Sequence, residues 1–175
     1  MTWEAVGALA ELLGAIVTKE GLVRYRLLTG ERLALLRRVV DGYAKAELPD
    51  ERAARLALWC NAYNANVLLG THEVRAKPGF VNISKVDGFF DQRPITVAGE
   101  RLTLNGLEND RVRKLDDARI HAALVCAAVS CPPLRAEAYV AERLETQLDD
   151  QCRRWVAHPE KFSLRGSRVG LSRIM

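Results

Sequence analysis

Apolar side chains recur at helical spacing along most of this chain, and this periodicity constrains its fold more than any other feature. Segments that repeat apolar residues every three or four positions predict amphipathic helices. Asp50 is expected to cap the third of these helices, and Gly70 to end it. Three long segments span Trp3 to Thr18, Glu31 to Lys45 and Glu51 to Leu69, and a fourth, less regular one spans Ala136 to Val156.

One short region has a different pattern. The β-prone runs Ile95 to Val97 and Arg101 to Leu104 flank the turn residues Ala98, Gly99 and Glu100, which predicts a β-hairpin. Asn105 and Glu108 follow at the spacing of a capping box, so a short helix is expected to begin there. The stretch 71–94 has no clear periodicity, and its glycines and prolines predict a long covering loop.

A further helix is predicted in the stretch "RIHAALVCAAVSCPPL", residues 119–134. Asp116 or Asp117 is expected to cap it, and its alanine-rich sequence favours continuation to about Val129. The double proline that follows Cys131 then forces the chain out of the helix. The stretch collects one of the three histidines and two of the four cysteines.

Length and composition predict a single domain. With 175 residues, 49% of them hydrophobic, the chain has enough apolar surface for one core. We expect a mainly α (α+β) fold over residues 1–175, with a small β-hairpin inserted before the His/Cys helix. Glu4 and Glu11 lie in an N-terminal segment that has no basic start, which is not typical of a secretion signal. The sequence therefore predicts a cytoplasmic protein with no membrane partner.

The formal net charge of +4 is mildly basic. Arginine-rich helix faces and a C-terminal group of basic residues carry the excess, without a recognition motif or interleaved aromatic residues, so no nucleic-acid partner is predicted. The basic faces remain compatible with an acidic protein partner. The C-terminal group consists of Arg153, Arg154, Lys161, Arg165, Arg168 and Arg173.

Three interpretations of the His/Cys stretch compete. In the first, Cys131 is a nucleophile, His121 its general base, and Glu108 or Asn64 orients the imidazole. In the second, His121, Cys126 and Cys131 bind a metal, although their spacing is not a zinc-finger pattern. In the third, these residues are packed core, as buried cysteines and histidines usually are.

A disulfide between Cys126 and Cys131 is a further possibility. The Cα atoms of residues five apart on a continuous helix lie roughly 8 Å apart, beyond the usual disulfide reach of about 7 Å. Such a bridge therefore requires the helix to end early. Asn61 and Asn64 lie three apart on the third helix beside Tyr63, and their amides need partners, either structural or at a site.

Several blocks together carry a family resemblance. "WCNAYNA" at Trp59 to Ala65, "LNGLEND" and "DARIHAALVCAAVSCPPL" occur in the order that resembles the family named domain of unknown function 547. Asn109 stands where the family often has histidine, and Ala118 where it has proline. The family usually continues further, so an end at Met175 suggests a shortened domain. The resemblance points to Asn61, Tyr63, Asn64, Glu108, Arg119, His121, Cys126, Ser130 and Cys131.

The leading hypothesis is a cysteine-dependent hydrolase or acyl transferase for an unknown small molecule or peptide, with no cofactor and no metal. Its alternative is a non-catalytic interaction module in which the cluster is a structural core network. In the enzyme hypothesis, the catalytic residues are Cys131, His121, Glu108 and Asn64. Arg119 would hold a substrate anion. The other substrate-binding residues are Asn61, Tyr63 and Ser130.

Overall fold

A computed structural model describes residues 3–128, 130–158, 161–165 and 168–171 of the chain. The part so described is mainly α-helical and contains a small antiparallel hairpin, as predicted. None of the helices in these ranges is long and apolar enough to cross a membrane. The helices are α1 Trp3–Ile16, α2 Gly30–Ala44, α3 Arg52–Arg75, α4 Leu104–Leu107, α5 Ile120–Ala123 and α6 Leu144–Val156.

The predicted hairpin is confirmed. Strands β1 Ile95–Val97 and β2 Glu100–Leu102 pair antiparallel, with Ile95 opposite Leu102. The two turn residues, Ala98 and Gly99, both have positive φ, the backbone that a tight two-residue hairpin turn requires. A second antiparallel pair, β3 Phe162–Arg165 and β4 Arg168–Leu171, was not predicted. The predicted basic position Arg173 lies outside the described residues.

Helix α3 is the centre of the fold. Nearly every residue from Ala54 to Thr71 is buried, because small and apolar side chains cover all of its faces. Helices α1 and α2, α4 and the β1 strand pack around it. A helix buried on all sides places any polar side chain that it carries inside the protein, where that side chain needs a partner.

The ends of α3 correct two predictions. Glu51, not Asp50, occupies the N-cap position, and its side chain makes no capping hydrogen bond. Gly70 does not end the helix, which continues to Arg75. Gly70 instead allows close packing, since a Cβ there would lie 3.0 Å from the Phe89 ring and 2.7 Å from Arg93 Nη1.

Helix α4 begins earlier than predicted. Thr103 is its N-cap, and Thr103 Oγ1 accepts the backbone N–H of Gly106 at 3.0 Å, so the Asn105–Glu108 capping box does not form. Glu108 instead opens a turn of π-helix, Glu108–Val112, that directly continues α4. Single π turns of this kind are frequent at functional sites.

Two predicted helices are much shorter than expected. Helix α5 ends at Ala123 and not near Val129, a residue outside the described ranges. Helix α6 starts at Leu144, and residues 136–140 before it are not helical. Periodicity favoured helix in both segments, but side-chain amides of other helices bind their backbone groups, as described below.

Candidate functional site

Asn61 and Asn64 of α3 each hold a separate segment of backbone. The Asn61 amide donates to Tyr139 O at 2.8 Å, and its oxygen accepts Tyr139 N–H at 2.9 Å. Asn64 does the same across a helix end, donating to Ala123 O and accepting Val125 N–H, both at 2.9 Å. Each amide thus replaces the backbone partners that a continued helix would have supplied.

Two glutamines of α6 complete this framework. Gln147 donates to Ala138 O and accepts Val140 N–H, each at 2.9 Å. Gln151 donates to Ala122 O at 3.0 Å and to Pro133 O at 2.5 Å. All four amide side chains of the framework, Asn61, Asn64, Gln147 and Gln151, are buried, and their hydrogen bonds explain why α5 ends early and α6 starts late.

Cys126 and Cys131 form a disulfide, with Cα atoms 6.0 Å apart. The early end of α5 makes this distance possible, as the spacing argument required. In this form Cys131 has no thiol, so the sequence-predicted nucleophile is not present as such. Cys60 and Cys152 are free. Burial raises the pKa of both thiols, which keeps them protonated.

The other predicted catalytic residues separate into different surroundings. His121 is half-buried, and its imidazole makes no hydrogen bond or ion pair with the residues that the structure describes, Cys131 included. Burial, with the charge and hydrogen bond of Glu108, raises the pKa of Tyr63. Glu108 also pairs with Arg113 at 3.1 Å. The pair of Tyr63 and Glu108 is one that the sequence did not suggest.

Arg119 was predicted to hold a substrate anion, but carboxylates of the protein occupy it. Its guanidinium bonds Asp117 at 2.8 and 3.0 Å, Asp149 at 2.7 Å and Glu145 at 2.6 Å. The hydrogen bonds from Arg119 lower the pKa of Asp117, and Asp117 in turn raises the pKa of Arg119. Arg119 therefore joins α5 to α6 as an ion-paired structural residue.

A cleft of about 680 Å³ opens beside the disulfide loop. This volume is in the range of small-molecule sites. One wall is the loop 80–84, within the long stretch predicted to be a covering loop. Ala127, Ala128 and Ser130 form a second wall. Thr71 and Arg75 at the end of α3, with Tyr25 and Lys161, complete the lining.

Two hydroxyls in this cleft, Tyr25 Oη and Thr71 Oγ1, are buried, and apart from their interaction with each other neither has a hydrogen-bond partner among the described residues. Thr71 is 4% exposed. Burial raises the pKa of Tyr25 to about 12, against smaller opposing effects of Thr71 and Arg75, so its hydroxyl is a donor at neutral pH. Buried hydroxyls with unused hydrogen-bonding capacity are costly, which makes both of them candidate ligand contacts.

The charge of the cleft is positive. Arg75 lies over the Tyr25 ring, with its guanidinium carbon 5.1 Å from the ring centroid, and makes no ion pair with any residue in the described ranges. Lys161 adds a buried ammonium group. Among the described residues that line the cleft, none is acidic. Sequence reasoning missed Tyr25, Thr71 and Arg75, because no motif distinguishes them from ordinary helix and turn residues.

The described residues contain no group of three or more His, Cys, Asp or Glu side chains arranged to hold a metal ion. In particular, the bond between Cys126 and Cys131 uses two of the three ligands that the metal interpretation required.

Comparison with known proteins gives a class and a family. The fold is a mainly α-helical domain in which buried amides hold a His/Cys segment beside a cleft. Residues 48–156 match the family described as "Protein of unknown function, DUF547". Because the match covers more than half of the chain, the protein belongs to this family, as the motifs predicted. No curated protein and no solved structure matches the chain.

Proposed function

We propose that this domain binds a small organic anion with a short apolar body in the cleft beside the disulfide loop. The observation that carries the proposal is the pair of buried hydroxyls Tyr25 Oη and Thr71 Oγ1, which have no partner among the described residues other than each other and lie next to the cation of Arg75. A carboxylate or phosphate group would accept from both hydroxyls and from the guanidinium.

The apolar lining supports the same ligand class. Phe80, Val81 and Ile83 contribute apolar surface to the loop wall, and Ala127 and Ala128 face them from the disulfide loop. An anion with a body of a few carbons would place its charge near Arg75 and its body against these side chains. The described lining residues include cations and no carboxylate, so they disfavour amines of the same shape.

The test compares four probes that share a six-carbon chain: hexanoate, hexyl phosphate, hexylamine and hexanol. We expect one or both anions to raise the melting temperature and to bind in calorimetric titrations, with no measurable binding of the amine. Arg75→Gln should weaken anion binding by on the order of tenfold, because a hydrogen bond to a charged group is lost. Arg38→Gln, at an exposed position of α2, is the matched control.

Two outcomes would contradict the proposal. If the amine binds as well as the anions, or if Arg75→Gln and Arg38→Gln have equal effects, the cleft does not select anions and the proposal fails.

The cysteine-dependent hydrolase or acyl transferase is a second candidate, which requires a reduced Cys131. One observation favours it: Ser130, next to Cys131, lines the cleft, so a freed thiol would lie beside a bound ligand. Alkylation of the reduced protein tests it. Cys131 should react with an apparent pKa well below the ordinary value of about 8.5, and His121→Ala should raise that pKa. Slow reaction without dependence on His121 would exclude this role.

The interaction module with an acidic protein partner also stays a prediction from the basic helix faces. It differs from anion binding in the cleft because its binding would survive Arg75→Gln.

A further inference from the structure

The two half-cystines of the disulfide have different surroundings. Cys131 is 3% exposed, whereas Cys126 is only partly buried. The backbone N–H of Cys126 donates to Cys131 Sγ at 3.1 Å. Burial alone disfavours a thiolate at Cys131, but the N–H donated to its sulfur favours the charged form and offsets part of that cost when the bond opens.

The segments on both sides of the disulfide are held by other contacts. Before it, Asn64 binds Ala123 O and Val125 N–H. After it, Gln151 binds Pro133 O, and Leu134 N–H donates to Gly21 O at 3.1 Å. Gly21 has positive φ, and a Cβ there would lie 2.3 Å from Pro133 Cβ, so this contact depends on glycine. Opening the disulfide therefore frees only the short loop.

The disulfide is also expected to contribute little to the stability of the fold. Cys126 and Cys131 are five residues apart, and a ring this short removes little conformational freedom from the unfolded chain. Within the ring, Ala127 has a φ of 58°, a left-handed conformation that costs free energy for a residue with a Cβ. Both features favour a bond that opens without unfolding the protein.

We infer that Cys126–Cys131 is an exchangeable disulfide that reacts with a small-molecule thiol, with Cys126 as the sulfur attacked. The thiolate of the small molecule bonds to Cys126 Sγ, and the electron pair of the broken S–S bond leaves on Cys131 as a thiolate. A second thiolate attacks the small-molecule sulfur of this mixed disulfide, which releases Cys126. Two thiols are oxidised to one disulfide, and the protein gains two electrons and two protons.

The first experiment treats the folded protein with excess reduced glutathione, blocks free thiols with iodoacetamide, and maps the labels by mass spectrometry. We expect labels on Cys126 and Cys131 while Cys60, which is completely buried, stays unlabelled and the circular dichroism is unchanged. If labels on Cys126 and Cys131 appear only together with a label on Cys60, the bond opens only on unfolding and the inference is wrong.

The second experiment determines which sulfur is attacked. Cys131→Ser and Cys126→Ser each leave one cysteine of the pair, and each variant is exposed to oxidised glutathione after its fold is checked by circular dichroism. We expect the mixed disulfide at Cys126 to form faster by on the order of tenfold or more, because access limits the buried Cys131. Equal rates, or faster reaction at Cys131, would contradict the assigned roles. Cys152 is partly buried in both variants and serves as the internal reference.

Discussion

Buried polar side chains in two parts of helix α3 differ in their hydrogen bonding. In its middle, Asn61 and Asn64 are buried with both donor and acceptor bonded to backbone of distant segments. At its C-terminal end, His72 Nδ1 is buried without a partner among the described residues, and the buried Thr71 Oγ1 interacts there only with the Tyr25 hydroxyl. The first two residues hold the fold, whereas the last two keep unused hydrogen-bonding capacity, which for Thr71 we propose serves a ligand, and only the first two belong to the family motif.

The difference also changes how the motif is interpreted. Asn64 was a candidate orienter for a catalytic imidazole, yet its amide already holds the end of α5. Arg119 was a candidate anion site, yet three carboxylates occupy it. A polar residue in a motif can therefore record a structural requirement, because each buried amide or cation must be satisfied wherever it lies.

The largest effect is expected from removing one amide of the α3 middle. Asn64→Ala leaves Ala123 O and Val125 N–H without their partner, so the free energy of unfolding should fall by about 2–4 kcal/mol. Asn66→Ala is the matched control, since Asn66 is equally buried but bonds only Ala62 O within the same helix. Urea denaturation measures both. Equal losses of unfolding free energy in the two variants would mean that burial of the amide, and not its hydrogen bonds to a distant segment, determines the loss.

Acid should weaken the link between α5 and α6. The Arg119 hydrogen bonds lower the pKa of Asp117 below 3.8, so ionised Asp117 stabilises the fold above that pH, and the stabilisation is lost as pH falls through the folded-state pKa. Asp117→Asn should be less stable than wild type at pH 7 by roughly 1–3 kcal/mol, and this gap should shrink on acidification.

The neighbouring residue provides the control for this pH dependence. Asp116 is exposed and its carboxylate makes no hydrogen bond or ion pair with a described residue, so Asp116→Asn should leave the unfolding free energy nearly unchanged at every pH. Denaturant titrations from pH 7 to pH 3 follow both variants. A gap between Asp117→Asn and wild type that is constant across this range would contradict the linkage.

Reduction should affect the cleft more than the amide framework. The loop wall that contains Ala127, Ala128 and Ser130 loses its closure when Cys126–Cys131 opens, so we expect hexanoate or hexyl phosphate to bind at least about fivefold more weakly to the reduced protein. Reciprocally, the bound anion should slow reduction. Calorimetric titration of the oxidised and reduced forms measures the coupling, and identical affinities would show that the loop wall does not depend on the disulfide.

The smallest effect is expected at the end of α3. Thr71→Val removes a buried hydroxyl that interacts only with the Tyr25 hydroxyl among the described residues, and it keeps a similar shape, so the unfolding free energy should stay within about 1 kcal/mol of the wild-type value. Anion affinity should fall several-fold in the same variant. Thermal melts and calorimetry give the two values. Loss of stability with unchanged affinity would place Thr71 with the structural amides.

The sequence determined the parts of this protein that depend on local pattern. Apolar periodicity located α1 and α2 closely, β-prone runs around turn residues located the β1–β2 hairpin, and the motif blocks identified the family. The spacing argument also stated correctly that a bond between Cys126 and Cys131 needs an early helix end. These features follow from residues within a few positions of one another.

Only the tertiary structure decided where α5 ends, where α6 begins and which groups remain unpaired. Ala123 and Val125 lie about sixty residues from Asn64, and Tyr139 lies 78 from Asn61, so no local pattern reveals that these amides interrupt a helical sequence. Tyr25 lies far along the chain from Thr71 and Arg75 at the end of α3, and only the tertiary structure shows that the three residues line one cleft. Hydrogen bonds can join residues at any distance along the chain. The amide framework and the cleft could therefore be recognised only in the tertiary structure.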